Sequence, residues 1–195
     1  MQAVSPAPDG GYMGWNTAEG SDALFHVNVA AGTFNTAVGG HALYGDTTGQ
    51  ANTAVGAFAP ATNSSGDQNV AVGQGALVSN THGSYNTASG FQALKSNTTG
   101  TFNTAIGNRA LFGNTIGNDN TATGAAALFT NTTGSSNTAY RVVALTSNTT
   151  GSGNTAVGNS SLSFDSLATL TPPSGSLHWE VTTLALPIVQ WDGMR

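Results

Sequence analysis

The tripeptide Asn-Thr-Ala begins at Asn16, Asn35, Asn52, Asn86, Asn103, Asn120, Asn137 and Asn154, with Asn69-Val70-Ala71 filling the one gap. After a first interval of 19 residues every step is 17, with no insertion or deletion. A period this strict constrains the fold more than any other property of the chain, because each unit is too small to bury a core alone and must stack on its neighbours. The consensus reads N-T-A-V-G-x-x-A-L-x-x-N-T-T-G-x-x. Glycine holds the fifth position at Gly20, Gly39, Gly56, Gly73, Gly90, Gly107, Gly124 and Gly158, broken once by Arg141. It holds the fifteenth without exception from Gly32 to Gly151.

Seventeen residues are too few for a helix pair and suit two short strands joined by two turns. Asn-Thr-Ala-Val-Gly alternates as a strand does. In Asn-Thr-Thr-Gly the asparagine caps its own backbone and the glycine accepts positive φ, which is turn chemistry. The sequence therefore predicts an all-β chain, a parallel β-solenoid (β-roll) with 17-residue coils and a C-terminal cap. Equal positions then stack about 4.8 Å apart, forming Asn and Thr ladders along a rod of roughly 40 Å. Residues 1–15, rich in Pro and Gly, read as a lead-in; 16–158 as a solenoid of about nine coils; 159–195 as a capping segment, or a linker to a further domain. The expected core is thin: Ala at the third and eighth positions, Leu at the ninth, and an aromatic before the asparagine (Phe34, Tyr85, Phe102). The variable fourth position (Glu19, Val38, Ser89, Ile106, Thr123, Tyr140) is expected to face solvent or a partner.

Charged residues make up 7% of the chain, 4 Lys+Arg against 9 Asp+Glu for a net charge of −5. Four scattered cations cannot neutralise a run of phosphates, so a basic nucleic-acid groove is excluded. No apolar run reaches the roughly 20 residues that span a bilayer as a helix. The chain has no cysteine, hence no disulfide framework and no thiolate metal site. The first six residues lack the charged and apolar regions of a secretion signal, so any export signal is expected elsewhere.

The phrases Asn35-Thr36-Ala37-Val38-Gly39, Asn52-Thr53-Ala54-Val55-Gly56 and Asn103-Thr104-Ala105-Ile106-Gly107 resemble the S-V-A-I-G repeats of YadA-like trimeric adhesin heads. The longer unit, with Ala-Leu and Asn-Thr-Thr-Gly, is similar to repeat arrays of bacterial surface and phage tail-fibre-like proteins. The resemblance covers about residues 16–158 and implies a left-handed β-roll, trimerisation, and an extracellular or cell-surface stalk or adhesive head. The chain departs from that pattern in its longer period and in the Thr that precedes Ala.

Stacking also nominates chemistry. Asp22 and His41 share the seventh position of successive coils and are expected to pair. Ser65 and His82 share the fourteenth, with Asp67 two residues beyond Ser65, which supplies the ingredients of a nucleophilic triad. A glycan-cleaving reading would instead use carboxylates such as Asp22 and Asp46. No metal-ligand motif occurs, although turn carbonyls could hold calcium. The sequons at Asn97, Asn131 and Asn148 repeat because the turn repeats. Finally Thr36, Thr53, Thr87, Thr104, Thr121, Thr138 and Thr155 form one file. If that file and the fourth position both face outward, the result is a flat Thr-x-Val surface like that of ice-binding solenoids. The expected function is a structural or adhesive module that associates with itself as a trimer or binds glycans or a host surface. Ice binding is the alternative, and a hydrolase on a solenoid scaffold a further one; an enzyme is the less expected outcome.

Overall fold

The computed structural model describes residues 14–28 and 30–163. Most of the expected lead-in, and the expected cap beyond residue 163, lie outside the described residues. Nine strands form one parallel sheet in sequence order: β1 (Thr17–Glu19), β2 (Thr36–Val38), β3 (Thr53–Val55), β4 (Val70–Val72), β5 (Thr87–Ser89), β6 (Thr104–Ile106), β7 (Thr121–Thr123), β8 (Thr138–Tyr140) and β9 (Thr155–Val157). Each pairs with the next in the register of the repeat, Thr104 on Thr121 and Ala105 on Ala122 for example. The chain is a β-solenoid of 17-residue coils.

Period-two alternation buries the central alanine of each strand and turns its neighbours outward. The third residue is the last because the glycine after it has φ between 124° and 140° in Gly20, Gly39, Gly56, Gly73, Gly90, Gly107, Gly124 and Gly158, a region nearly closed to side chains. A Cβ on Gly56 would also lie 2.8 Å from the backbone carbon of Gly73 in the next coil. Arg141 stands in this file with φ 95°. Arg141→Gly is therefore expected to stabilise the array by about 1 kcal/mol or more. The check is a higher denaturant midpoint at unchanged m.

The second strand expected in each coil does not form. Between the fifth and twelfth positions the backbone runs through left-handed residues at the seventh and ninth, Gln92 at φ 54° and Leu94 at φ 50° for example. Successive N–H groups alternate between the neighbouring coil (Leu94 to Ala110, 3.0 Å) and the chain's own turn (Ala93 to Gly90, 3.3 Å; Asn97 to Leu94, 3.2 Å). A strand would send consecutive side chains to opposite faces. Here Ala93 and Leu94 are both 0% exposed, as are Ala110 and Leu111, and only a curled backbone puts both inside. Each left-handed non-glycine residue costs roughly 1–2 kcal/mol. The fully buried leucine that it delivers returns about 1.5–3 kcal/mol, which makes the arc sustainable when coil-to-coil hydrogen bonds are added.

Two files of buried asparagine close the coil. At the first position Asn103 Nδ2 donates to Gly117 O at 2.8 Å and to Asn86 Oδ1 at 3.1 Å, while the Asn103 N–H also reaches Asn86 Oδ1 at 3.0 Å. At the twelfth, Asn97 Nδ2 donates to Asn80 Oδ1 at 2.8 Å and to Gly100 O at 3.0 Å. Both files converge on the carbonyl of the fifteenth-position glycine: Gly117 O accepts from Asn103 and from Asn114. A Cβ on Gly100 would press on Asn97 Oδ1 and lie 2.5 Å from Gly117 O, which explains the unbroken glycine there. The aromatics before the asparagine are not core. Phe34 is 61% and Phe102 55% exposed, on left-handed backbone (φ 61° and 58°) that precedes the strand.

Candidate functional site

The outward face of the sheet carries three files. Thr36, Thr53, Thr87, Thr104, Thr121, Thr138 and Thr155 form the middle one, interrupted by Val70, and all are half-buried or exposed beside buried alanines. The fourth-position file adds exposed Val55, Val72, Ile106, Tyr140 and Val157. The file before the asparagine adds Trp15, Phe34, Tyr85 and Phe102, with Tyr85 and Phe102 stacked at 4.8 Å and 5°. Between Thr36 and Val157 the Thr and fourth-position files hold no charged residue. Parallel in-register pairing makes this a flat surface of hydroxyls and small apolar groups repeating about every 4.8 Å.

Of the proposed catalytic neighbours the fold joins one pair. His41 Nε2 lies 3.6 Å from Asp22 Oδ2, both about two-fifths exposed. The His41 ring also stacks on Phe58 at 5.1 Å and lies 5.2 Å from the ring of Tyr44, which stacks on Phe25 at 5.5 Å, so the pair sits in an aromatic cluster. Ser65, His82 and Asp67 occupy adjacent coils, but no hydrogen bond joins any two of them. The Asp67 carboxylate accepts the Gln50 N–H at 2.7 Å, in the coil before, while His82 Nδ1 contacts Thr81 Oγ1 at 3.0 Å in its own turn. A triad needs the histidine between hydroxyl and carboxylate; here those partners are absent from it.

Asp46 is a different kind of residue from the one the sequence suggested. It holds the twelfth position, where the following coils place Asn63, Asn80, Asn97, Asn114, Asn131 and Asn148, and it is 0% exposed, out of reach of any polysaccharide. Its Oδ1 accepts from the Gly49 N–H and from Asn63 Nδ2, each at 3.0 Å, and its Oδ2 has no hydrogen-bond partner. Oδ2 thus takes the place that the amide nitrogen takes in the asparagines. Burial pushes the carboxyl from its ordinary 3.8 up to about 7. The bonds from Asn63 and Gly49 oppose that rise, and the Asp67 charge adds to it. The signal in the sequence was a single Asp in a file of Asn.

Among the described residues no group of three or more His, Asp or Glu is placed to hold a metal ion. The turn carbonyls considered for calcium accept asparagine amides instead, two at Gly117 and two at Gly134. Asn97 and Asn131, both sequon residues, are 0% exposed and donate into the ladder, so the folded chain offers no glycan-transfer site there. No helix among the described residues is long and apolar enough to cross a membrane. Comparison of the chain with protein-family models, curated proteins and solved structures finds no match.

Proposed function

We propose that the chain is a structural and adhesive module of the extracellular or cell-surface kind, a rigid rod that docks through its outward sheet face on copies of itself, three to an assembly. The observation that supports this reading is the uncharged pair of Thr and fourth-position files, on which Val55, Val72, Ile106, Tyr140 and Val157 are all exposed. Exposed apolar side chains clustered on one face are the usual mark of an association site. Trimerisation comes from the resemblance to adhesin heads. Light scattering of the chain is expected to give the mass of a trimer. The double variant Val72→Lys, Ile106→Lys is expected to weaken assembly at least about a hundredfold, since buried unpaired ammonium groups cost several kcal/mol. Both positions are exposed in the single chain, so the fold should survive. A monomeric parent chain would defeat the proposal.

The outward Thr file favours a second reading, ice binding. It would use the same face in the monomer, and thermal hysteresis at millimolar protein is its test; none would remove it.

A further inference from the structure

The only Lys and Arg among the described residues are Lys95, Arg109 and Arg141, and two of them converge. Lys95 Nζ lies 5.1 Å from the centre of the Phe112 ring, and Arg109 Cζ lies 5.9 Å from the same ring and 5.8 Å from Phe91. Phe112 in turn stacks on Phe129 at 5.0 Å and 11°. These side chains lie on the curled arc between the fifth and twelfth positions, away from the Thr face. No carboxylate answers the two cations: the one ion pair among the described residues is His41 with Asp22. Asp22 stands five coils from Arg109, about 24 Å at strand spacing, well beyond the roughly 8 Å over which salt lets exposed charges interact. Asp119 shares a coil with Arg109 but sits on the outward sheet face. In a chain of net charge −5 this is a local positive patch set among aromatic rings.

We propose that Lys95, Arg109, Phe91, Phe112 and Phe129 form a binding site for a linear acidic glycan laid along the coil axis. A uronate chain offers what the patch complements: carboxylates for an ammonium and a guanidinium one coil apart, and apolar sugar faces for the phenylalanine edges. A nucleic acid would need a longer basic track. An extended peptide gains its affinity by adding to an open strand edge. That edge is missing here, because the N–H groups of Gln92, Leu94, Ser96 and Arg109 already donate to neighbouring coils. The site is independent of self-association through the sheet face, and the Val72→Lys, Ile106→Lys variant should keep it.

The test is calorimetric titration with a galacturonate hexamer, a neutral galactose hexamer and a single-stranded oligonucleotide of the same length. The galacturonate hexamer is expected to bind with a dissociation constant below about 1 mM at low salt, and more weakly as salt is raised. The double variant Lys95→Gln, Arg109→Gln should bind it at least about tenfold more weakly, with an unchanged circular dichroism spectrum. The neutral hexamer should not bind measurably. The proposal is overturned by no saturable binding of the galacturonate hexamer, by equal binding of the neutral one, by a double variant within twofold of the parent, or by tighter binding of the oligonucleotide.

Discussion

Asp46→Asn is expected to stabilise the N-terminal coils by about 4 kcal/mol above pH 8, and to do almost nothing below about pH 4. In the folded chain the Asp46 carboxyl titrates at about 7 against an ordinary 3.8. Between those two values the native state holds a proton that the unfolded chain has lost, so stability falls as pH rises through the interval and is flat above it. Three pKa units at 1.36 kcal/mol each set the scale. The physical cause lies in the ladder. When protonated, Asp46 has an O–H with which to imitate the asparagine that donates to the glycine carbonyl in every later coil. When ionised, it presents a buried oxygen without a partner. Asparagine restores the donor at all pH values. Because a solenoid unzips coil by coil, the effect should appear in hydrogen exchange of the amides of Gly49, Asn63 and their neighbours, and fade toward the C-terminal coils. A parent chain equally stable at pH 5 and pH 8 would contradict the assignment.

The same residue shows where sequence reading stops. The period placed Asp46 in the asparagine file, but its chemistry depends on that file facing inward, which spacing alone does not say. The strand was legible because Thr-Ala-Val alternates and stops at a glycine, although alternation alone left open which face turns inward. The arc was not. Gln92 and Leu94 take positive φ, against the preference of both residue types, and stacking rather than local propensity holds them there. Phe34, Tyr85 and Phe102 read as core on hydrophobicity alone, but left-handed backbone that the sequence does not announce leaves them exposed. Asp22 and His41 meet because a shared position in adjacent coils is enough for two side chains on one file. Ser65, His82 and Asp67 satisfied the same rule but also needed their side chains to point at one another. The Asp67 carboxylate was drawn instead to the free N–H of Gln50.

Asn103→Ala should be the most damaging single change in the middle of the rod, at about 5 kcal/mol. The Asn103 Oδ1 accepts from the N–H and the Nδ2 of Asn120, at 3.0 and 3.1 Å, and its Nδ2 donates to Gly117 O and Asn86 Oδ1. Removing the amide leaves the Asn120 N–H without its partner and takes one bond each from Asn120 Nδ2, Gly117 O and Asn86 Oδ1, which keep Gly134 O, Asn114 and the residue-103 N–H, in a region where Asn86, Asn103 and Asn120 are each 0% exposed. The one stranded N–H costs about 1–3 kcal/mol, and each of the three lost bonds about 0.5–1.5 kcal/mol. The matching change at the end of the file, Asn154→Ala, supplies the control. Asn154 is only partly buried, and its amide and N–H both donate to Asn137 Oδ1. Its loss takes one of the two bonds that Asn137 Oδ1 accepts, leaves the backbone N–H in place, and is expected to cost about 0.5–1.5 kcal/mol. The two variants therefore separate ladder bonding from the mere removal of an asparagine. In hydrogen exchange Asn103→Ala should divide the array into two blocks that open independently on either side of β6, since coupling between repeats is carried by nearest-neighbour contacts. Equal destabilisation by the two substitutions, or a uniform loss of protection along the whole rod, would mean that the asparagine files are passengers and that the buried alanines and leucines alone hold the coils together.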